Sequence, residues 1–159
     1  MKHVFWLIPD KVAGRPGPNV LPWSVAELYA GGIRAVLSVN NAALVEPTEF
    51  EKHGIEYACI PFSRNAPPMT GDFEICVRAL PEAYAFVAGQ LEVDRPVLVH
   101  CRSGKDRTGL LFSYFLMQTA GLSAEQALQE VRKVRPIALS ALGWETFGLD
   151  ILRHLAERL

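Results

Sequence analysis

The sequence predicts an α/β domain in which helices flank a central, mostly parallel sheet of four to five strands. Two observations carry this prediction: short apolar, β-branched runs alternate with helical patterns, and one such run leads directly into a long apolar helix near the middle of the chain. Half of the 159 residues are hydrophobic, which is enough for one full core. Because no repeat, low-complexity tract or linker divides the chain, we expect a single domain over residues 1–159.

The first half of the chain predicts three strands and two short helices. The strands are expected at residues 4–8, 35–39 and 55–60. The segment 9–23 is rich in Gly and Pro and is expected to be a loop. Ser24 and Glu27 have the spacing of a capping box and begin a helix that runs to Gly31, and a second helix spans 48–52.

The second half predicts one more strand and four helices. The strand is expected at residues 97–100, and the helices at 70–90, 108–120, 123–134 and 140–158. Pro81 lies inside the first of these helices and predicts a bend there. Ser123 and Gln126 form a capping pair. The strand and helix order predicts a largely parallel sheet.

The segment from His100 to Gly109 is the most informative part of the chain. Five residues separate Cys101 from Arg107, and the predicted strand and helix place the segment at a strand-to-helix turn. Unpaired amides and the positive end of a helix dipole at such a turn bind anions. The same field favours a thiolate at Cys101, and the planar fork of Arg107 matches two phosphoryl oxygens. The segment therefore predicts a cysteine nucleophile in a phosphate cradle.

Neighbouring residues have expected roles around the phosphate. His100 is expected to orient the loop through its ring nitrogens, and the Thr108 hydroxyl to donate to the thiolate or to assist breakdown of a phosphocysteine. The remaining loop residues expected to bind substrate are Arg102, Ser103, Gly104 and Lys105. For the two cations among them, the alternative is a solvent-exposed side chain without a ligand.

This segment resembles the signature loop of the cysteine-dependent protein tyrosine and dual-specificity phosphatases, which reads His-Cys, five residues, Arg, and Thr or Ser. Rhodaneses usually have one residue fewer before the closing arginine, so the spacing favours phosphate transfer. Segment 131–140 resembles the Arg-Pro segment of small dual-specificity phosphatases, and segment 13–18 is similar to the entrance region of compact microbial members. The resemblance implies a dual-specificity-phosphatase-like fold and metal-free hydrolysis of phosphate monoesters through a phosphocysteine.

The general acid departs from the family pattern. Small phosphatases usually supply it from an Asp shortly after a strand ending in Ile-Pro, and here Arg64 stands in that place. We favour Asp106, because it adjoins Arg107 at the mouth of the phosphate site and a general acid needs hydrogen-bond reach. The resemblance extends to myotubularin-like and Sac-like lipid phosphatases, which also place an Asp before the signature Arg.

Three alternatives to an Asp106 acid stay open. In the first, Asp106 stabilises the loop by pairing with Lys105 or Arg64. In the second, the general acid is Asp72 or Glu74. In the third, the reaction proceeds without a dedicated acid. Asp72 follows Gly at a helix start, where the helix dipole alone favours an acidic residue.

The expected substrate is protein phosphotyrosine. A phosphoinositide or inositol phosphate is the alternative, because Arg102 and Lys105 add cations to the loop, and the Lys-Asp-Arg-Thr run resembles bacterial phosphatases that accept both substrates. Arg64 is expected to contact a second anionic group. An alternative of another class is a pseudophosphatase that binds phosphorylated partners without turnover.

Composition narrows the remaining possibilities. A net charge of −1 argues against general nucleic-acid binding. The first apolar run is too short for a signal peptide, no stretch reaches membrane-spanning length, and we expect a cytoplasmic location. The histidines lack ligand spacing, so neither a metal nor another cofactor is expected. Three cysteines make no disulfide framework, although Cys59 is a candidate for a reversible disulfide with Cys101.

Overall fold

Residues 1–158, which the computed structural model describes, form one five-stranded sheet and six helices. The strands are β1 (Phe5–Ile8), β2 (Val12–Pro16), β3 (Ala35–Ser38), β4 (Glu56–Cys59) and β5 (Val97–Cys101). The helices are α1 (Val25–Ala30), α2 (Pro47–Lys52), α3 (Asp72–Glu92), α4 (Asp106–Ala120), α5 (Ala124–Val134) and α6 (Trp144–Ala156). The sheet order is β1-β2-β5-β3-β4, and every neighbouring pair except β1 and β2 is parallel. The predicted α/β class with a mostly parallel sheet is confirmed.

The central strand β5 positions the site. It is buried along its whole length between β2 and β3, and Cys101 is its last residue. Side chains of a strand alternate between the two faces of the sheet. Cys101 therefore belongs to the core under α3 to α6, whereas Leu98 belongs to a second core under α1 and α2. The carboxyl ends of parallel strands are where ligands bind in open α/β sheets.

The prediction of a loop over 9–23 is wrong for residues 12–16, which form the buried strand β2. Gly, Arg and Pro are poor strand formers, so local propensity hides this strand. A side chain at Gly14 would place its Cβ 2.6 Å from the Phe5 ring, so the glycine permits close packing of β1. Pro16 is the last residue of β2 and pairs with Cys101 in the register.

Several helix ends differ from the predictions by a few residues, and the largest shift is at the start of α6. Helix α6 begins at Trp144 rather than at residue 140, because Gly143 has a left-handed φ of 79°. At the start of α1, the Ser24 hydroxyl accepts a hydrogen bond from the Glu27 amide. The second bond of the predicted capping box, from the Ser24 amide to the Glu27 carboxylate, is not formed. The Ser123 capping box has both halves.

Candidate active site

The nucleophile candidate lies in the loop between β5 and α4, which we call the signature loop, Cys101–Arg107. Cys101 is 2% exposed, and the buried hydroxyl of Thr108 donates to its sulfur at 3.2 Å. Thr108 lies in the first turn of α4, so the sulfur faces the positive end of that helix. A hydroxyl donor and a helix amino terminus both stabilise negative charge on sulfur.

The backbone carbonyls of the signature loop accept hydrogen bonds from residues outside the loop. Arg135, which caps the carboxyl end of α5, donates from Nη2 to the Ser103 carbonyl at 2.7 Å and from Nε to the Gly104 carbonyl at 3.1 Å. The Gly17 amide donates to the Arg102 carbonyl at 3.0 Å. Within residues 1–158, the amides of 103–107 donate to no backbone acceptor. The loop therefore keeps a set of donors for an anion.

Two glycines allow this packing. Gly104 has a φ of 64°, and a Cβ there would lie 2.7 Å from the carbonyl carbon and oxygen of Arg15. A Cβ at Gly17 would lie 2.5 Å from the Cys101 carbonyl oxygen. Backbone cannot move aside as a flexible side chain can, so both positions require glycine.

His100 is fully buried and neutral. Burial, the largest cause, and the nearby charges of Arg15 and Arg107 together lower its pKa to about 4, against a hydrogen bond with the Cys101 carbonyl that raises it. Its Nδ1 lies 3.1 Å from the Cys101 carbonyl, which accepts only, so the ring proton is on Nδ1. Nε2 then accepts from Ser38 at 2.5 Å, and Ser38 accepts from the Tyr57 hydroxyl at 2.6 Å. The His100 ring therefore joins the Cys101 carbonyl to Ser38 and Tyr57, and its role in orienting the loop stays a prediction.

The positively charged side chains at this edge of the sheet differ in exposure and in bonding partners. Arg107 is partly buried, and its guanidinium makes no hydrogen bond or ion pair with any side chain of residues 1–158. Arg102 and Arg64 are exposed. Lys105 is not free: its ammonium lies 2.7 Å from Asp106 and 3.4 Å from the Ser140 hydroxyl.

The candidate acids have different surroundings. Asp106 accepts from Lys105 at Oδ2 and from the Ala141 amide at Oδ1, 3.2 Å away. Asp72 is buried and accepts from the Met69 amide at 2.6 Å and the Asn65 amide group at 3.0 Å. Burial by itself raises the pKa of Asp72, but these hydrogen bonds outweigh burial and lower it. A carboxyl group held in its ionised form is a poor proton donor.

Glu74, the other candidate acid, is exposed. It lines a groove with Phe73 and His154 beside α3.

Cys59 is separated from β5 by strand β3. In the register of the sheet, Cys59 of β4 lies opposite Ser38 of β3, and Ser38 lies opposite His100 of β5. Two strand spacings separate Cys59 from β5, about 9–10 Å, beyond the roughly 7 Å between Cα atoms that a disulfide spans. The geometry therefore contradicts a direct disulfide with Cys101.

Sequence reasoning missed the supports of the loop. The residues that it did not assign to the site are Arg15, Gly17, Ser38, Tyr57 and Arg135. The sequence did contain a sign of Ser38, because it is the one polar residue of strand β3 and ends that strand beside the site. Arg135 lies 31 residues after Gly104, and no local pattern reports that contact.

Comparison with known proteins agrees with this geometry. The model of the family "Dual specificity phosphatase, catalytic domain" matches residues 23–144. This chain belongs to the dual specificity phosphatase family. It is a cysteine-dependent phosphatase of the tyrosine and dual-specificity class.

Individual relatives cover most of the chain. Protein tyrosine phosphatase PRL-1 of Leishmania major is 27% identical over 126 residues, 79% of this chain and 71% of that protein. Phosphatidylglycerophosphate phosphatase PTPMT1 of Arabidopsis thaliana is 25% identical over 134 residues, 81% of this chain but 37% of that protein. The crystal structure of Tk-PTP in the active form has a TM-score of 0.79 and 26% identity, covering 99% of both chains.

Residues 1–158 contain neither a metal-binding cluster nor a membrane-spanning helix. No group of three His, Cys, Asp or Glu side chains there is arranged to hold a metal ion. None of the helices combines the length and the hydropathy of a membrane span.

Proposed function

We propose that the chain hydrolyses phosphotyrosine in proteins in two steps at the signature loop. The Cys101 thiolate attacks phosphorus, and the P–O bond to the leaving group breaks as the S–P bond forms. Arg107 and the loop amides hold the equatorial oxygens, and Asp106 gives a proton to the leaving oxygen. Water then attacks the phosphorus of the phosphocysteine and gives a proton to the Asp106 carboxylate, while the S–P bond breaks and phosphate leaves. This step restores the thiolate and the acid, with Thr108 donating to the leaving sulfur.

One observation carries this proposal: the Thr108 hydroxyl donates to Cys101 at 3.2 Å beneath a loop whose amides have no backbone partner. A structural cysteine needs neither feature. A phosphoryl group needs both, since its oxygens require donors and its attacker must be charged. The open guanidinium of Arg107 adds the bidentate clamp.

Asp106 is our proposed acid. The hydrogen bonds that hold Asp72 ionised, and the exposed position of Glu74 in a groove with Phe73 and His154, favour Asp106 over both. Asp106 lies one residue before Arg107, where a leaving oxygen on the bound phosphate comes within reach. To donate, it must be protonated and turn away from Lys105, so the ion pair competes with the acid role.

A phosphoinositide is the second candidate substrate. Arg102 and Arg64 are exposed cations at the loop region, available for phosphates other than the one cleaved. The Arabidopsis relative carries a lipid phosphatase name. Lys105 supports this candidate less than expected, because Asp106 neutralises it. We also propose a cytoplasmic location, which suits a thiol that must stay reduced.

The test compares hydrolysis of para-nitrophenyl phosphate, a phosphotyrosine peptide and a phosphoinositide. Cys101→Ser should lose at least about 10³-fold in kcat on all three. Asp106→Asn should lose about 10²-fold or more on the peptide and much less on nitrophenyl phosphate, whose leaving group needs no proton. Asp94→Asn, in an exposed turn at the amino end of β5 and so at the opposite end of that strand from the signature loop, is the matched control.

Each result separates the candidates. Faster hydrolysis of the phosphoinositide than of the peptide would replace the protein substrate with the lipid. Equal losses of Asp106→Asn on both leaving groups would show a loop-stabilising carboxylate instead of an acid. Phosphate binding without turnover of any substrate would establish the pseudophosphatase.

A further inference from the structure

Arg15 is a buried arginine without a partner. It lies on β2 opposite His100, its residue is 2% exposed, and neither Nε nor Nη1 has a hydrogen-bond acceptor among residues 1–158. Arg34 shows the usual arrangement, since its guanidinium donates to the carbonyls of Tyr29 and Ile33. A buried charge without a partner carries a large desolvation cost, so an acceptor is expected beside Arg15.

A cavity beside Arg15 has room for that acceptor. Its volume is ≈ 60 Å³, and Lys2, His3 and Glu27 are among its other lining residues. About 10–15 Å³ of such space holds one water, so the cavity admits about four to six oxygen-sized atoms. Lys2 and His3 are exposed, so the cavity lies close to solvent.

The charges favour an anion in this cavity. Lys2, Arg15 and the amino group of Met1 are positive, and Glu27 is the one acidic residue of the lining among residues 1–158. The Glu27 carboxylate acts on the charge of Arg15 without a hydrogen bond to it and lies 3.7 Å from the Met1 amino group. A space of this size with a planar guanidinium and further cations matches a small tetrahedral oxyanion.

We propose that the cavity beside Arg15 is a second, non-catalytic binding site for a small tetrahedral oxyanion, with inorganic phosphate as its ligand. The choice of phosphate rests on the proposed function, which releases it; the site rests on Arg15. The Arg15 guanidinium lies 5.4 Å from the Trp23 ring centroid, and Trp23 packs edge-on against His100 at 4.9 Å. The backbone of Arg15 also supports Gly104. Bound phosphate therefore stabilises the back of the signature loop.

The experiment measures phosphate binding by calorimetry and thermal unfolding in an Arg107→Met background, which removes the catalytic clamp. Phosphate at ten times its dissociation constant should raise Tm by about 3–6 °C. Sulfate at the same ionic strength should act similarly, and chloride should not. Arg15→Met in this background should weaken phosphate binding at least about tenfold, whereas Arg78→Met, at an exposed position, should not.

Two further variants keep the test decisive. Glu27→Gln, at an exposed position, should tighten phosphate binding by removing a negative charge from the lining. Arg15→Met with Arg107 intact should bind one phosphate per chain by calorimetry, at the signature loop, where the parent binds two. Absence of phosphate binding in Arg107→Met would overturn the proposal and leave water as the occupant. Binding that is insensitive to both Arg15→Met and Glu27→Gln would also overturn it, and neither result touches the catalytic mechanism.

Discussion

Two loops leave parallel strands at the same edge of the sheet, and they satisfy their polar groups in opposite ways. The signature loop has its carbonyls bound from outside by Arg135 and Gly17, so its amides stay free. The loop after β4, residues 60–71, closes around one carboxylate instead: Asp72 accepts from the side-chain amide of Asn65 and from the backbone amide of Met69. The Asn65 carbonyl accepts from the Trp144 indole at 2.8 Å.

This difference separates a binding loop from a supporting loop. A buried carboxylate that takes up donors of its own loop disfavours a phosphate beside it, whereas a loop anchored by its carbonyls offers its amides. The chemistry therefore concentrates after β5.

Adding one methyl group to the signature loop should have the largest effect. Gly104→Ala forces a Cβ to within 2.7 Å of the Arg15 backbone and onto a φ of 64°. The loop must shift, so kcat/KM for nitrophenyl phosphate should fall by about 10³-fold, as several amide donors are lost together. Gly89→Ala, in an open position on α3, is the control and should raise the free energy of unfolding by about 0.5–1 kcal/mol. A fully active Gly104→Ala would contradict the preformed cradle.

Removing the outside anchor should have the next largest effect. Arg135→Met loses both donors to the Ser103 and Gly104 carbonyls while keeping much of the side-chain volume. We expect a loss of about 10²-fold in kcat, because the amides no longer face the phosphate. Arg153→Met removes an exposed arginine with ion pairs to Glu125 and Asp150 and is the control. Arg135→Lys keeps the positive charge but cannot donate to both carbonyls at once. If Arg135→Lys had the full activity of the parent, Arg135 would not act by positioning the signature loop.

The support beneath the signature loop should be sensitive to pH between 7 and 4. His100 has a pKa of about 4 in the fold, against about 6.5 in the unfolded chain, so the unfolded chain alone binds a proton in this window. The free energy of unfolding should therefore fall by about 3 kcal/mol as pH drops from 7 to 4. Urea titrations of His100→Gln should show a flatter profile, and those of the exposed His3→Gln should match the parent. A parent stability that does not change over this window would refute a buried neutral His100.

The architecture and the signature loop were predictable because their signals are local. Apolar periodicity marks β3 and β5, and the spacing of Cys101 and Arg107 marks the loop. Strand β2 was missed because burial by its neighbours, not propensity, makes Gly, Arg and Pro extended. The surroundings of Asp72 and Asp106 depend on distant side chains and amides, so sequence alone left the acid open.

The supporting loop should respond to pH in a lower window and by a smaller amount. Because its hydrogen bonds lower the pKa of Asp72, the stability that the carboxylate contributes is present above the ordinary Asp value of about 3.9. It is lost as pH falls through the lower folded value. Asp72→Asn places an amide group against the donors of Asn65 and should cost about 1–2 kcal/mol at pH 7.

That difference between the parent and Asp72→Asn should shrink as pH falls through the lowered pKa of Asp72, where the parent carboxylate takes up a proton, and Asp94→Asn should show no such convergence. The turnover of folded Asp72→Asn should stay close to that of the parent, because the hydrogen bonds of Asp72 hold it ionised and so unable to protonate a leaving group. A collapse of kcat on the phosphotyrosine peptide, with nitrophenyl phosphate hydrolysis retained, would instead make Asp72 the acid. That result would return the loop after β4 to the role it has in other family members.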